Sequence, residues 1–311
     1  MATLRESIGP LGVWGHLDSL PSTALRPYVS RAASLGYGAL WVPETVGREP
    51  FALLGALAEA ASTMWLGTAI VSIWGHDAMS TRMAAMTLHE LTRGRFMLGL
   101  GVSHAHLAQK LRGHVYENPL ASTRAFLEAY RRLPYKGPLL PVTEGTPAEP
   151  PVLIAALREG MLRLAATAAD GAFPYLVGAA RTAWIRGVLD AAGAAIPDRS
   201  RPLLAVSLPV MVEPDPALAR AAARVYLAPY LRTPNYQASW ELQGLSAADW
   251  AQPGSDRLVD AMVAWGTLET VRQRVAEMLA SGADHVALIP LAPDGLTEHL
   301  PTIEALAPTP R

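Results

Sequence analysis

The chain has 311 residues, of which 50% are hydrophobic and 17% charged, with 26 Lys plus Arg against 27 Asp plus Glu. That balance supplies ample core and almost no net field, which excludes a disordered chain and a nucleic-acid polyelectrolyte. The absence of cysteine removes disulfide scaffolds, thiolate nucleophiles, iron–sulfur clusters and cysteine-bound zinc together, so redox chemistry needs a cofactor.

The N-terminal MATLRESIGP has no apolar run of the secretory kind, and the expected location is the cytoplasm. Leu11 to Trp14 reads as a strand and Ser22 to Leu35 as a helix, with Ser22 as N-cap and Gly36 as C-terminal stop. The same strand–helix pair recurs three times: Ala39 to Val42 with Phe51 to Ala61, Trp65 to Ile73 with Ala78 to Leu91, and Phe96 to Leu100 with Ala121 to Leu133. The longest charge-free stretch, Ala60 to Gly75, is 16 residues, short of the roughly 20 that span a bilayer. Pro134 to Pro151 carries six prolines and no periodicity, so it predicts a long surface connection.

The pattern then resumes with Val152 to Ala155, Gly160 to Ala169, Ala172 to Leu176, Ala179 to Ala192, Leu203 to Val212 and Ala217 to Leu231. After an insertion come Leu268 to Ser281 and His285 to Ile289. The runs LLAVSLPVMV and HVALI are apolar throughout, as strands covered on both faces are. Eight strands with intervening helices, and no G-x-G-x-x-G after the first, predict one (β/α)8 TIM barrel with insertions over residues 1–311 rather than an open sheet.

In such a barrel the active site lies on loops after the strand C-termini. Those loops carry His16 and Asp18 after the first strand, and Glu44 and Thr45 after the second. Trp74, His76 and Asp77 follow the third, and Ser103, His104 and His106 the fourth. A histidine-held zinc or iron site is one reading, but His104 and His106 stand at i, i+2 with no third-ligand pattern, so no metal is expected. His76, His106 and His114 read as solvated loop polarity.

The stretches ALWVPE (Ala39 to Glu44), LGTAIVSIWGHDA (Leu66 to Ala78), RGRFMLGLGVSHAH (Arg93 to His106) and PVLIAALREGMLRLAATAADGAFPYL (Pro151 to Leu176) resemble the bacterial luciferase-like monooxygenase superfamily. The resemblance points to its coenzyme F420-dependent oxidoreductase branch and runs from about residue 8 to residue 292, with GADHVAL (Gly282 to Leu288) resembling the last strand of that branch. It implies a (β/α)8 barrel and hydride transfer between the deazaflavin of F420 and a small-molecule substrate. By the same resemblance Glu44 touches the deazaflavin and Ser72 contacts the cofactor. It also makes Ala69–Ile70 a non-prolyl cis peptide, and Val102 and Ser103 further contacts. Leu157, Arg158 and Gly160 open the helix that holds the phosphate and tail. An uncapped helix N-terminus with an adjacent arginine suits that anion.

Departures from the pattern narrow the substrate. Glucose-6-phosphate-oxidising relatives have a histidine after the strand-two acid, a glutamate after the strand-four glycines and a phosphate-binding lysine after strand six; here these places hold Thr45, His104 and Gly178. A phosphorylated sugar is not expected. Trp14, His16, Trp74, Phe173 and Tyr175 are expected to line the pocket for an apolar or ring-containing substrate, with His104 and Glu44 as the catalytic residues. An FMN-dependent monooxygenase and a non-catalytic deazaflavin-binding barrel are the competing readings. A homodimer is expected through the Ala- and Met-rich helix MAAMTLHEL (Met83 to Leu91).

Overall fold

A computed structural model describes residues 4–141 and 147–308. Its strands are β1 Leu11–Trp14, β2 Ala39–Val42, β3 Trp65–Thr68, β4 Val71–Ser72, β5 Phe96–Gly101, β6 Val152–Ile154, β7 Gly171–Ala172, β8 Leu203–Val212, β9 Ala264–Gly266 and β10 His285–Pro290. All pair in parallel. The order β1–β2–β3–β5–β6–β7–β8–β10 returns to β1, so the sheet closes as a (β/α)8 barrel. Closure buries the strands on both faces, which is why they read as unbroken apolar runs rather than alternating ones.

Two glycines open room for the Trp41–His285 pair. A Cβ on Gly67 would stand 2.4 Å from the Trp41 ring, and one on Gly12 would stand 2.5 Å from Nε2 of His285. Both glycines sit inside strands, where the missing side chain lets a neighbour approach the backbone. Trp41 and His285 fill that space and are fully buried.

Several element boundaries differ from the sequence reading. The expected strand Trp65 to Ile73 is two strands, β3 and β4, separated at Ala69 and Ile70, whose peptide is cis as the resemblance implies. β7 keeps only two residues, because after Phe173 donates to the Ile154 carbonyl at 2.9 Å the chain leaves the barrel wall. Pro21, not Ser22, occupies the N-cap of helix Ser22–Ser34, with no side-chain cap, while Gly36 at φ +86° does end the helix. The helix expected from Phe51 starts at Pro50, where the Glu49 carboxylate accepts the Phe51 and Ala52 amides, and ends at Leu57. β9 is an addition: it pairs with the far end of β8 and lies outside the closed ring. Of the long connection from Pro134 to Pro151, residues 142–146 lie outside the described residues. No helix among the described residues is long and apolar enough to cross a membrane.

Candidate active site

The loops after the strand C-termini enclose a cavity of about 640 Å³, within the range of small-molecule and cofactor sites. The loop after β1 contributes His16, Asp18 and Ser19, and the loop after β2 contributes Pro43, Glu44 and Thr45. Val102, Ser103, His104 and His106 follow β5, and Ala155 to Leu157 follow β6. Phe173 and Tyr175 follow β7, and the segments after β8 and β10 complete the wall.

Glu44 is held from three sides. Its Oε2 accepts the Ser72 backbone N–H at 2.6 Å, its Oε1 takes the Arg112 guanidinium, and His76 Nε2 lies 3.3 Å from the same oxygen. Burial alone would push this carboxyl up, but the His76 and Ser72 contacts and the Arg112 charge outweigh it, and its pKa falls below the usual glutamate value. The same contact raises His76, against its own burial. The expectation that His76 is mere solvated polarity is therefore corrected: it is a half-buried partner of Glu44.

His104 is the second residue expected to be catalytic. Its ring sits 5.4 Å from Tyr236 and stacks on His106 at 5.8 Å, and burial, then the His106 charge, lowers its pKa to about 4. The side chain is uncharged at neutral pH, so a titration near the ordinary histidine value is not its property. His106, expected to be bystander polarity, lines the rim and carries that stack; His114 is exposed.

Trp14, His16, Glu44, Ala69, Ile70, Val102, Ser103, His104, Leu157, Phe173 and Tyr175 all line the cavity. Ser72 is buried beside it, tied to Glu44. Trp74 does not line it, which corrects its place among the pocket residues: its ring packs on Tyr116 at 5.6 Å instead. Arg158 and Gly160 are exposed outside the wall. Arg158 Nη2 donates to Oδ1 of the wall residue Asn235 at 3.1 Å, and the helix Glu159–Ala168 that it precedes has no side-chain cap.

The sequence reading missed an aromatic wall. Tyr226, Tyr230 and Tyr236 line the cavity with Tyr175, whose hydroxyl is hydrogen-bonded to that of Tyr226. Burial raises all four hydroxyls above the ordinary tyrosine value and keeps them protonated. Tyr226 lies in the helix Pro216–Leu227 and Tyr230 in the turn that follows it, so the helix expected to run to Leu231 ends earlier. Ser207, on β8, is 1% exposed and lines the cavity, and its Oγ has no partner among the described residues.

The sequence of residues 10–285 matches the family model for luciferase-like monooxygenases. The chain belongs to that family. A Mycobacterium tuberculosis protein provisionally named a coenzyme F420-dependent oxidoreductase is 25% identical over 320 residues, covering 88% of this chain and 91% of the relative. An F420-dependent secondary alcohol dehydrogenase, solved with an F420-acetone adduct, has the same fold at a TM-score of 0.73 and 16% identity, over 96% of this chain and 98% of that one. The oxygenating component of 3,6-diketocamphane monooxygenase from Pseudomonas putida, solved with FMN, superposes at 0.66 and 16% identity, over 96% and 94% of the two chains. At these identities the two structures show a shared fold.

Proposed function

We propose that the protein is a coenzyme F420-dependent oxidoreductase acting on a small apolar or ring-containing substrate. The observation that carries this reading is the aromatic cavity at the C-terminal mouth of a luciferase-like barrel whose near full-length relative bears an F420-dependent name. The residues present fit the cofactor. The cavity has the volume for a tricyclic ring, and the uncapped helix after Arg158 offers backbone N–H groups to an anionic tail.

F420, when bound, supplies a deazaflavin carbon that gives or accepts a hydride. Glu44 contributes a fixed negative charge, since its three partners remove its freedom to rotate and favour the ionised form. His104 is uncharged and able to accept a proton or donate its one N–H at the wall. The tyrosines and Trp14 exclude water from an apolar guest. Arg158 and the first turn of its helix would hold the tail.

Titrating the apoprotein with F420 and with FMN, followed by quenching of the ligand fluorescence, tests the reading. Tighter binding of F420 supports it. Tighter binding of FMN replaces it with a flavin-dependent monooxygenase, the reading that the FMN-bound structural neighbour favours. Tight F420 binding with no turnover across a substrate panel leaves a non-catalytic deazaflavin carrier. We also propose a homodimer packed through the helix Ala78–Leu91, where Met79, Met83 and Leu91 are each more than half exposed.

A further inference from the structure

Charge is divided across the mouth of the barrel. In the ring order β6 stands four places from β1, on the opposite wall. Arg158 follows β6 and Arg112 follows β5, while Asp18 and Glu298 project from the loops after β1 and β10. Among the described residues, none that lines the cavity is a lysine or arginine.

Glu298 is the unusual member. It is 7% exposed and lines the cavity, and its carboxylate accepts the Leu17 N–H at 3.0 Å together with the Ser19 and Thr297 hydroxyls. Among the described residues no lysine or arginine pairs with it. Arg48, which serves the same loop, spends its guanidinium on the carbonyls of Leu17 and Leu20. Burial holds the neighbouring His16 below the ordinary histidine value in spite of the Glu298 charge, so no cation arises there at neutral pH. Three neutral donors hold this carboxylate and no cationic side chain does, so a positively charged ligand group would supply the missing counter-charge. A Cβ on Gly15 would come 2.9 Å from Oε1, so the glycine leaves the carboxylate its place against the end of β1.

Aromatic faces continue from that point. The Trp14 ring lies 4.9 Å from His16 and stacks on Tyr175 at 6.1 Å and 16°, and Tyr175 meets Tyr230 at 5.3 Å. Electron-rich ring faces that share a cavity with a carboxylate lacking a cationic partner attract a cation, most of all where water is excluded. On β8, next to β10, the unpartnered and 1% exposed Ser207 Oγ adds a second polar group that awaits a ligand on this wall.

We propose that the β1/β10 side of the cavity is a subsite for a positively charged nitrogen of the substrate, an amine or quaternary ammonium group, held by Glu298 and faced by Trp14 and Tyr175. This deepens the oxidoreductase reading and rests on it for the word substrate. The recognition itself needs no cofactor. The anionic tail is assigned to the β5/β6 side and the cation to the opposite one, so the two ligands do not compete for charge.

The test uses the cofactor-free full chain and two probes of one shape, choline and its uncharged isostere 3,3-dimethylbutan-1-ol, titrated at low salt by ligand-observed NMR. Choline is expected to bind about tenfold or more tightly than the alcohol. Glu298→Gln, which keeps the size and an acceptor for Leu17, is expected to bring the ratio close to one, and Trp14→Leu to weaken choline more than the alcohol. Equal binding of the two probes by the unaltered protein overturns the proposal, and that comparison depends on no variant folding. An unchanged ratio in Glu298→Gln also overturns it and leaves Glu298 as a latch between two loops. Because no F420 is present, these outcomes are independent of whether F420 or FMN is the cofactor.

Discussion

The carboxylate of Glu44 accepts the backbone N–H of Ser72 at 2.6 Å, tying the loop after β2 to β4 just beyond the Ala69–Ile70 peptide. Arg112 and His76 complete the grip. Replacing Glu44 with alanine leaves a buried N–H without its acceptor and removes the partner of Arg112 and His76, so a loss of about 1–3 kcal/mol is expected in urea unfolding. The folded-state pKa of Glu44 is lowered. Its contribution is therefore present above the ordinary glutamate value and disappears as pH falls through the folded-state one, and Glu44→Gln should flatten that part of the stability profile.

His104→Ala is expected to lower turnover about 10²- to 10⁴-fold if its imidazole transfers a proton, with cofactor affinity retained. Since the imidazole titrates at about 4, its limb in the pH–rate profile belongs near that value, and turnover above pH 6 should not vary through His104. A limb near 6.5 that survives His104→Ala would assign the titration elsewhere. Weaker F420 binding with unchanged saturated turnover would make His104 a binding residue.

Arg158→Ala should weaken F420 more than the bare deazaflavin chromophore, because only the former carries the phosphate and acidic tail that the helix N-terminus attracts. Fluorescence titration of both ligands decides the point. Equal losses would remove Arg158 from the tail site.

Within the barrel, Trp41 Nε1 donates to His285 Nε2 at 3.0 Å while His285 Nδ1 donates to the Gly9 carbonyl at 2.8 Å. This fixes a neutral tautomer, and burial lowers the pKa to about 4. As pH drops below 6.5 the unfolded chain takes the proton first, so stability should decline from there to about pH 4, by on the order of 3 kcal/mol from this group. His285→Phe should lose about 2 kcal/mol at pH 7 through the orphaned indole N–H and carbonyl, and should show a shallower acid decline in guanidinium titrations.

Light scattering should give twice the 33.1 kDa chain mass at micromolar concentration, and Met83→Glu should shift the particle toward the monomer. A charge among the exposed side chains of Met79, Met83 and Leu91 is costly only if a partner covers it.

Local pattern determined the alternation of strands and helices, and with it the barrel and the face that bears the site. Runs such as Leu203–Val212 and Ala78–Leu91 have the same bounds in sequence and structure, because apolar continuity and helical period are properties of neighbouring residues. Family resemblance added Glu44, Ala69, Ile70 and Leu157 to the wall of the same cavity. Tertiary structure decided the charges. Arg112 reaches Glu44 across 68 positions, Glu298 reaches Leu17 across 281, and Trp41 reaches His285 across 244. Such pairs have no period to read. Barrel closure brings these segments together and strips water from them, and burial is the largest cause that sets both His104, on a loop, and His285, in a strand, at about 4.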